Sequence, residues 1–197
     1  MRMLLLIGWL MLPAGLAAYH YGPGQEQLRL DDVAALLSEA DRHAAAEEWA
    51  DAAELYDKAL RLLPADRVQD SRRIRLEKAK AQMLARQLPE AHADLKALVD
   101  ELTRADKGDA KLLAESQSAL ANSQYYMTWL MRLEGQPRDM WEPEIEAARQ
   151  TYRMLAEQAE SRGDAKASRK CEEDLESAVR LARMDLGELQ GLPLPSQ

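Results

Sequence analysis

Leu113, Leu120, Met127 and Leu130 recur along one side of the segment 109–134, while Asn122, Tyr125, Trp129 and Arg132 fall on the opposite side. Apolar residues at such intervals mark an amphipathic helix. A second face of tyrosine, tryptophan and arginine is unusual for a surface helix, so it either meets another neighbour or lines a groove. Similar glycine- and proline-poor stretches predict helices over 32–46, 49–63, 68–86, 89–104, 109–134, 141–162 and 164–187. Alanine and leucine dominate them, and such side chains lose little freedom on entering a helix. The expected fold class is all-α.

The start of the chain breaks this rhythm. Arg2 is followed by an apolar run from Met3 to Ala18 and then by a polar flank containing glycine. One basic residue, an apolar core and small residues around Gly15–Ala17 form a secretory signal, with cleavage after Ala17. The same run, with Tyr19 and Tyr21 as interfacial anchors, is also near the length of a spanning helix. A buried cytosolic helix is the third reading. Either export reading leaves the amino end in the cytoplasm and the body outside, because no cation follows Arg2 until Arg29. Residues 1–18 are therefore expected to be a signal peptide or membrane anchor, 19–31 a linker, 32–189 the helical domain and 190–197 a proline-containing tail.

Charge narrows the partners. A net charge of −8 disfavours nucleic acid, whose backbone calls for clustered cations. The single cysteine, Cys171, excludes an internal disulfide and a multi-cysteine metal site. His20, His43 and His92 are scattered without paired metal-ligand spacing. No nucleophile elbow, phosphate loop or dinucleotide fingerprint is present. No catalytic residue, metal ligand or cofactor is assigned, and the expectation is a protein that is not an enzyme.

The body carries a repeat. In LLSEADRHAAAEEWADAAELYDKALRLLP, Ala40, Ala52 and Ala59 fall at small positions, Leu36, Trp49 and Tyr56 at large ones, and Pro64 at a terminator. This stretch resembles a tetratricopeptide repeat, a helix-turn-helix unit of about 34 residues. His43 departs from the family's usual tyrosine. A weaker unit follows at Ala79, Leu88, Ala91, Leu95 and Leu98, and Ala148, Tyr152 and Leu155 echo a third. The resemblance implies a short α-solenoid of about three helical hairpins plus a C-terminal capping helix. It also implies a concave surface lined by the first helix of each pair. The family's peptide-carboxylate clamp needs lysine and asparagine there, yet the first repeat holds Leu37, Asp41 and Ala44, so that clamp is not expected.

Two surfaces stand out as candidate sites. Asn122, Tyr125, Trp129 and Arg132 form a candidate partner-binding face, since tyrosine, tryptophan and arginine are enriched at binding hot spots. The alternative is a helix buried on both faces. The segment Arg67–Arg86 carries seven cations against Asp70 and Glu77. Arg72, Arg73, Arg75 and Lys80 within it offer a basic dock for an acidic partner or anionic headgroups, or else pair with acidic neighbouring helices. Glu142 and Glu146, one turn apart, read as charges at a helix start.

The expected function is a non-catalytic interaction module at the bacterial cell envelope, binding a peptide or helix of another envelope protein. The alternative is a structural subunit whose aromatic face is consumed by self-association or a membrane complex.

Overall fold

A computed structural model describes residues 23–105 and 109–191. The apolar start of the chain lies outside the described residues, and with it the expected signal or anchor. Most of the expected tail, 192–197, lies outside them as well. No described helix is long and apolar enough to cross a membrane.

Among the described residues the protein is all-helical. The helices are α1 (Pro23–Ala45), α2 (Trp49–Leu62), α3 (Val68–Leu84), α4 (Leu88–Arg104), α5 (Ala110–Leu133), α6 (Arg138–Ser161), α7 (Ala165–Arg183) and α8 (Leu186–Gly191). Each of the first six packs against the next in sequence. Beyond these contacts α3 touches α5, and α8 folds back onto α5. The architecture is helical-repeat-like.

Alanine sets the crossings. Ala40, Ala52, Ala59, Ala79, Ala91, Ala121, Ala148 and Ala178 are each 0% exposed, so every helix from α1 to α7 has at least one methyl side chain where a neighbour approaches. Larger residues fill the space between crossings in three successive clusters. Leu55, Tyr56 and Ile74 join α2 to α3; Leu76, Leu95, Leu98 and Leu112 join α3, α4 and α5; Trp129, Ile145, Tyr152 and Leu181 join α5, α6 and α7. The core is thus a row of local cores, as in proteins whose units contact only their neighbours.

Four turns share one device. Glu47, Arg86, Gly135 and Gly163 all have positive φ, at 61°, 64°, 71° and 75°. In each case the next N–H reaches back across the turn: Glu48 to the His43 carbonyl, Gln87 to Gln82, Gln136 to Met131 and Asp164 to Ala159, at 2.8–2.9 Å. This six-to-one bond is the Schellman ending of a helix, and it satisfies a carbonyl that the terminus would otherwise leave free.

Three boundaries differ from the sequence expectation. Helix α1 begins at Pro23 and so takes in most of the expected linker; proline is well suited to a first helical turn, and no breaker follows Gly24. Helix α6 begins at Arg138, which places Pro143 inside it, one turn past the start. An eighth helix, α8, occupies residues where α7 was expected to fade out. The third hairpin is also the tallest: α5 and α6 have 24 residues each, against 17 for α3 and α4. At about 1.5 Å per residue the difference is roughly 10 Å, or two turns.

Candidate binding surface

The extra height of α5 carries most of the aromatic face, and the chain's own C-terminal helices meet it there. Trp129 is 9% exposed and Arg132 8% exposed. The Arg132 guanidinium donates to the Leu181 and Met184 carbonyls, which end α7, and lies 4.8 Å from the centre of the Trp141 ring. It thereby caps α7 from the side, where a cation also favours the helix dipole. Burial disfavours its charge, while the Asp185 carboxylate supports it. Trp129 packs with Tyr152, Leu181 and Leu189, and its indole Nε1 finds no partner among the described residues.

Asn122 accepts from the Tyr152 hydroxyl at 2.7 Å, tying α5 to α6. Tyr125 is half-buried against the same cluster and meets Tyr126 edge-on, with ring centres 5.5 Å apart. Burial pushes the Tyr125 phenol up, and its neighbour Tyr126 adds to the effect. At Trp129 and Arg132 the placement is therefore that of a helix covered on its second face. The side expected to be the apolar one is less buried: Leu113, Leu120 and Met127 are half-buried and Leu130 is 37% exposed. Small residues, Ser116, Ala119, Ala121, Ser123 and Thr128, take the deepest positions because they allow close helix approach.

The four residues of the basic dock are all held by this chain's own carboxylates. Arg72 and Arg75 share Glu101 on α4 at 2.8 and 2.5 Å; Arg73 reaches Asp109 at 3.0 Å; Lys80 reaches Glu77 at 2.8 Å. Lys78 bridges Asp57 on α2 and Asp94 on α4. Hydrogen bonds from Arg72 and Arg75 hold the Glu101 carboxyl below the usual range. Helix α3 is thus pinned electrostatically between α2, α4 and the start of α5.

Between α3 and α5 lies a cleft of about 290 Å³. Its floor is Leu76 and Leu112, both buried, and its rim carries Arg73 and Lys111 beside Glu77, Asp109 and Glu115. Asp109 is the N-cap of α5, accepting from the Lys111 and Leu112 amides at 3.1 Å. Those amide bonds and Arg73 keep its carboxyl below the usual range.

Two polar groupings escaped the sequence reading. His92 on α4 lies 3.0 Å from Ser123 Oγ on α5, and its Nε2 lies 3.8 Å from Glu144 on α6. The order serine, histidine, carboxylate is that of a nucleophilic triad. Here, however, Ser123 is fully buried and spends its proton on the Leu120 carbonyl at 2.7 Å. It therefore accepts from His92, and the grouping fastens three helices. His43, Glu48 and Asp51, at the α1–α2 turn, have ligand atoms within 4.8 Å of one another. His43 and Glu48 are already bonded at 2.6 Å, brought together by the Schellman turn. Spacing along the chain could reveal neither group, because turn geometry and helix packing create both.

The remaining candidates are paired or quiet. Glu142 accepts from Arg138 and Glu146 from Arg149, each within α6. Burial and the nearby Asp174 push the Cys171 thiol up, away from the reactive thiolate. Neither the family models nor the curated proteins contain a match to this chain.

Proposed function

We propose that this chain is a short tetratricopeptide-like solenoid acting as a non-catalytic binding module at the bacterial cell envelope. The reading that it belongs to that repeat class rests on the matching positions from Leu36 to Pro64 and on the regular alanine crossings. Its apolar amino-terminal run is the proposed anchor or export signal, with the body on the extracytoplasmic side. The observation that carries the binding role is the cleft between α3 and α5, the first helices of successive pairs. An apolar floor inside a rim of both signs suits an extended peptide or helix that buries an apolar side chain and pairs charges at the edge.

Co-purification of the full-length chain from membranes tests this reading. Reversing the rim with Glu77→Arg and Glu115→Arg should abolish recovery of a partner without lowering the melting temperature. Unchanged recovery would remove the cleft from the proposal.

A second reading, a structural subunit, is favoured by Leu130 and by Met140, which is 57% exposed near the tip of the third hairpin. Self-association through that tip would appear as a concentration-dependent mass in light scattering, lost in Met140→Lys.

A further inference from the structure

Helix α8 is a poor helix by its own sequence. It has six residues, two of them glycines, Gly187 and Gly191. Isolated helices shorter than about 12–15 residues are marginal in water, and glycine weakens them further. Two things hold it. The first is a reciprocal capping box, in which the Asp185 amide donates to the Glu188 carboxylate at 2.9 Å and the Glu188 amide to Asp185 at 2.7 Å. The second is docking on α5: among the described side chains of α8, Leu189 alone is buried, in the cluster of Trp129, Tyr152 and Leu181.

Much of the receiving face is built without α8. Arg132 holds carbonyls at Leu181 and Met184, both before α8 begins, and Trp129 shares its cluster with Tyr152 of α6 and Leu181 of α7 as well as with Leu189. Charge is complementary as well, since Asp185 at the start of α8 acts electrostatically on Arg132.

We propose that the Tyr125, Trp129 and Arg132 face of α5 is a receptor for a short helix with an acidic cap and a leucine four residues after it. Helix α8 is its resident ligand, and a partner helix of the same chemistry displaces it. The proposal rests on the binding-module reading only for its biological use. Its site is separate from the α3–α5 cleft, and the chain's own sequence serves as the probe. Loss of every membrane partner would therefore sink that reading and leave this test intact.

The test uses the full chain carrying Leu189→Asp and a fluorescent peptide of residues 184–197. The peptide should bind saturably to this variant. It should bind at least tenfold more weakly to the wild-type chain, whose face is occupied, and at least tenfold more weakly when the peptide itself carries Leu189→Asp. Equal binding of both peptides, or none to a variant that keeps its helical spectrum, overturns the proposal. If Leu189→Asp fails to fold, hydrogen exchange on the wild-type chain decides. Amides of α8 should exchange at least tenfold faster than those around Trp129. Gly187→Ala, whose added methyl would meet only the Asp185 carboxylate at 3.4 Å, should slow them about two- to fivefold. Protection in α8 equal to that in α5, or no effect of Gly187→Ala, makes α8 a fixed part of the core and overturns the proposal.

Discussion

The Tyr152 hydroxyl donates to Asn122 Oδ1 at 2.7 Å across the α5–α6 hairpin. Tyr56 makes the same reach to Asp41 across α1 and α2 at 2.6 Å. Both tyrosines are buried, so each bond satisfies a hydroxyl that water reaches poorly. Tyr152→Phe should cost about 1 kcal/mol, the net worth of one such bond. Tyr152→Ala should cost about 3–5 kcal/mol, because the ring fills the third cluster. Urea unfolding of the pair separates bond from ring; a phenylalanine variant as stable as wild type would mean that the bond contributes nothing.

These two phenols also set an alkaline limit. Burial is the main cause that pushes both well above the ordinary tyrosine value near 10, and Asp41 adds to it at Tyr56. In the unfolded chain the phenols ionise near their ordinary value, while the folded chain keeps its protons. The stability they contribute is full below about pH 10 and declines as pH rises beyond it. Thermal melts from pH 8 to 11 should show that decline, and Tyr152→Phe should flatten it.

Much of the fold was legible because it is written in small residues. Ala40, Ala52, Ala59, Ala79, Ala91 and Ala148 fall at the positions that the repeat resemblance marks in the sequence, and all are fully buried. Helix α8 was not legible: neither its length nor its glycines favour it, and it is held by the Asp185–Glu188 cap and by Leu189 packing in the third cluster. Arg132 was flagged as a candidate partner-binding residue, and within the chain it donates to two carbonyls. Its acceptors lie 49 and 52 residues away, at the end of a helix whose position only packing determines. The cations of α3 were legible as a charge excess, but their pairing with Glu101 and Asp109 depends on which helices flank them.

Glu101 offers a test of that pairing. Hydrogen bonds from Arg72 and Arg75 depress its folded pKa, so its contribution is present above the ordinary carboxylate range and is lost as pH falls through the depressed value. Glu101→Gln should melt below wild type at pH 7, because it leaves the buried Arg72 without a counter-charge. The gap should close as the pH is lowered through that depressed value. A gap that persists there would assign the effect to packing.

Arg86 holds the left-handed position that Gly135 and Gly163 hold in other turns. A side chain in that conformation costs roughly 1–2 kcal/mol, partly offset by the entropy glycine loses on folding. Arg86→Gly should therefore stabilise the chain by about 0.5–1 kcal/mol, raising the melting temperature by roughly 1–4 °C for a protein of this size. Gly135→Ala should act in reverse through the backbone alone, since nothing lies within 4 Å of the added methyl. A neutral Arg86→Gly would show that the strain is relieved elsewhere.

The aromatic face gives the sharpest contrast between packing and surface. Trp129 is buried among Tyr152, Leu181 and Leu189, so Trp129→Ala removes a large core side chain and should cost about 3–5 kcal/mol. Leu120 is half-buried beside the second cluster, and Leu120→Ala should cost less, about 1–2 kcal/mol. Arg132→Met keeps most of the volume but strips the Leu181 and Met184 carbonyls of their donor. Its cost should be about 1–3 kcal/mol, the penalty for buried groups left unpaired. Its effect should appear first at the C-terminal end, as faster hydrogen exchange in α7, with α1 to α4 unchanged. Urea melts that show Trp129→Ala at wild-type stability would return this face to open solvent and overturn the placement of α7 and α8 against it.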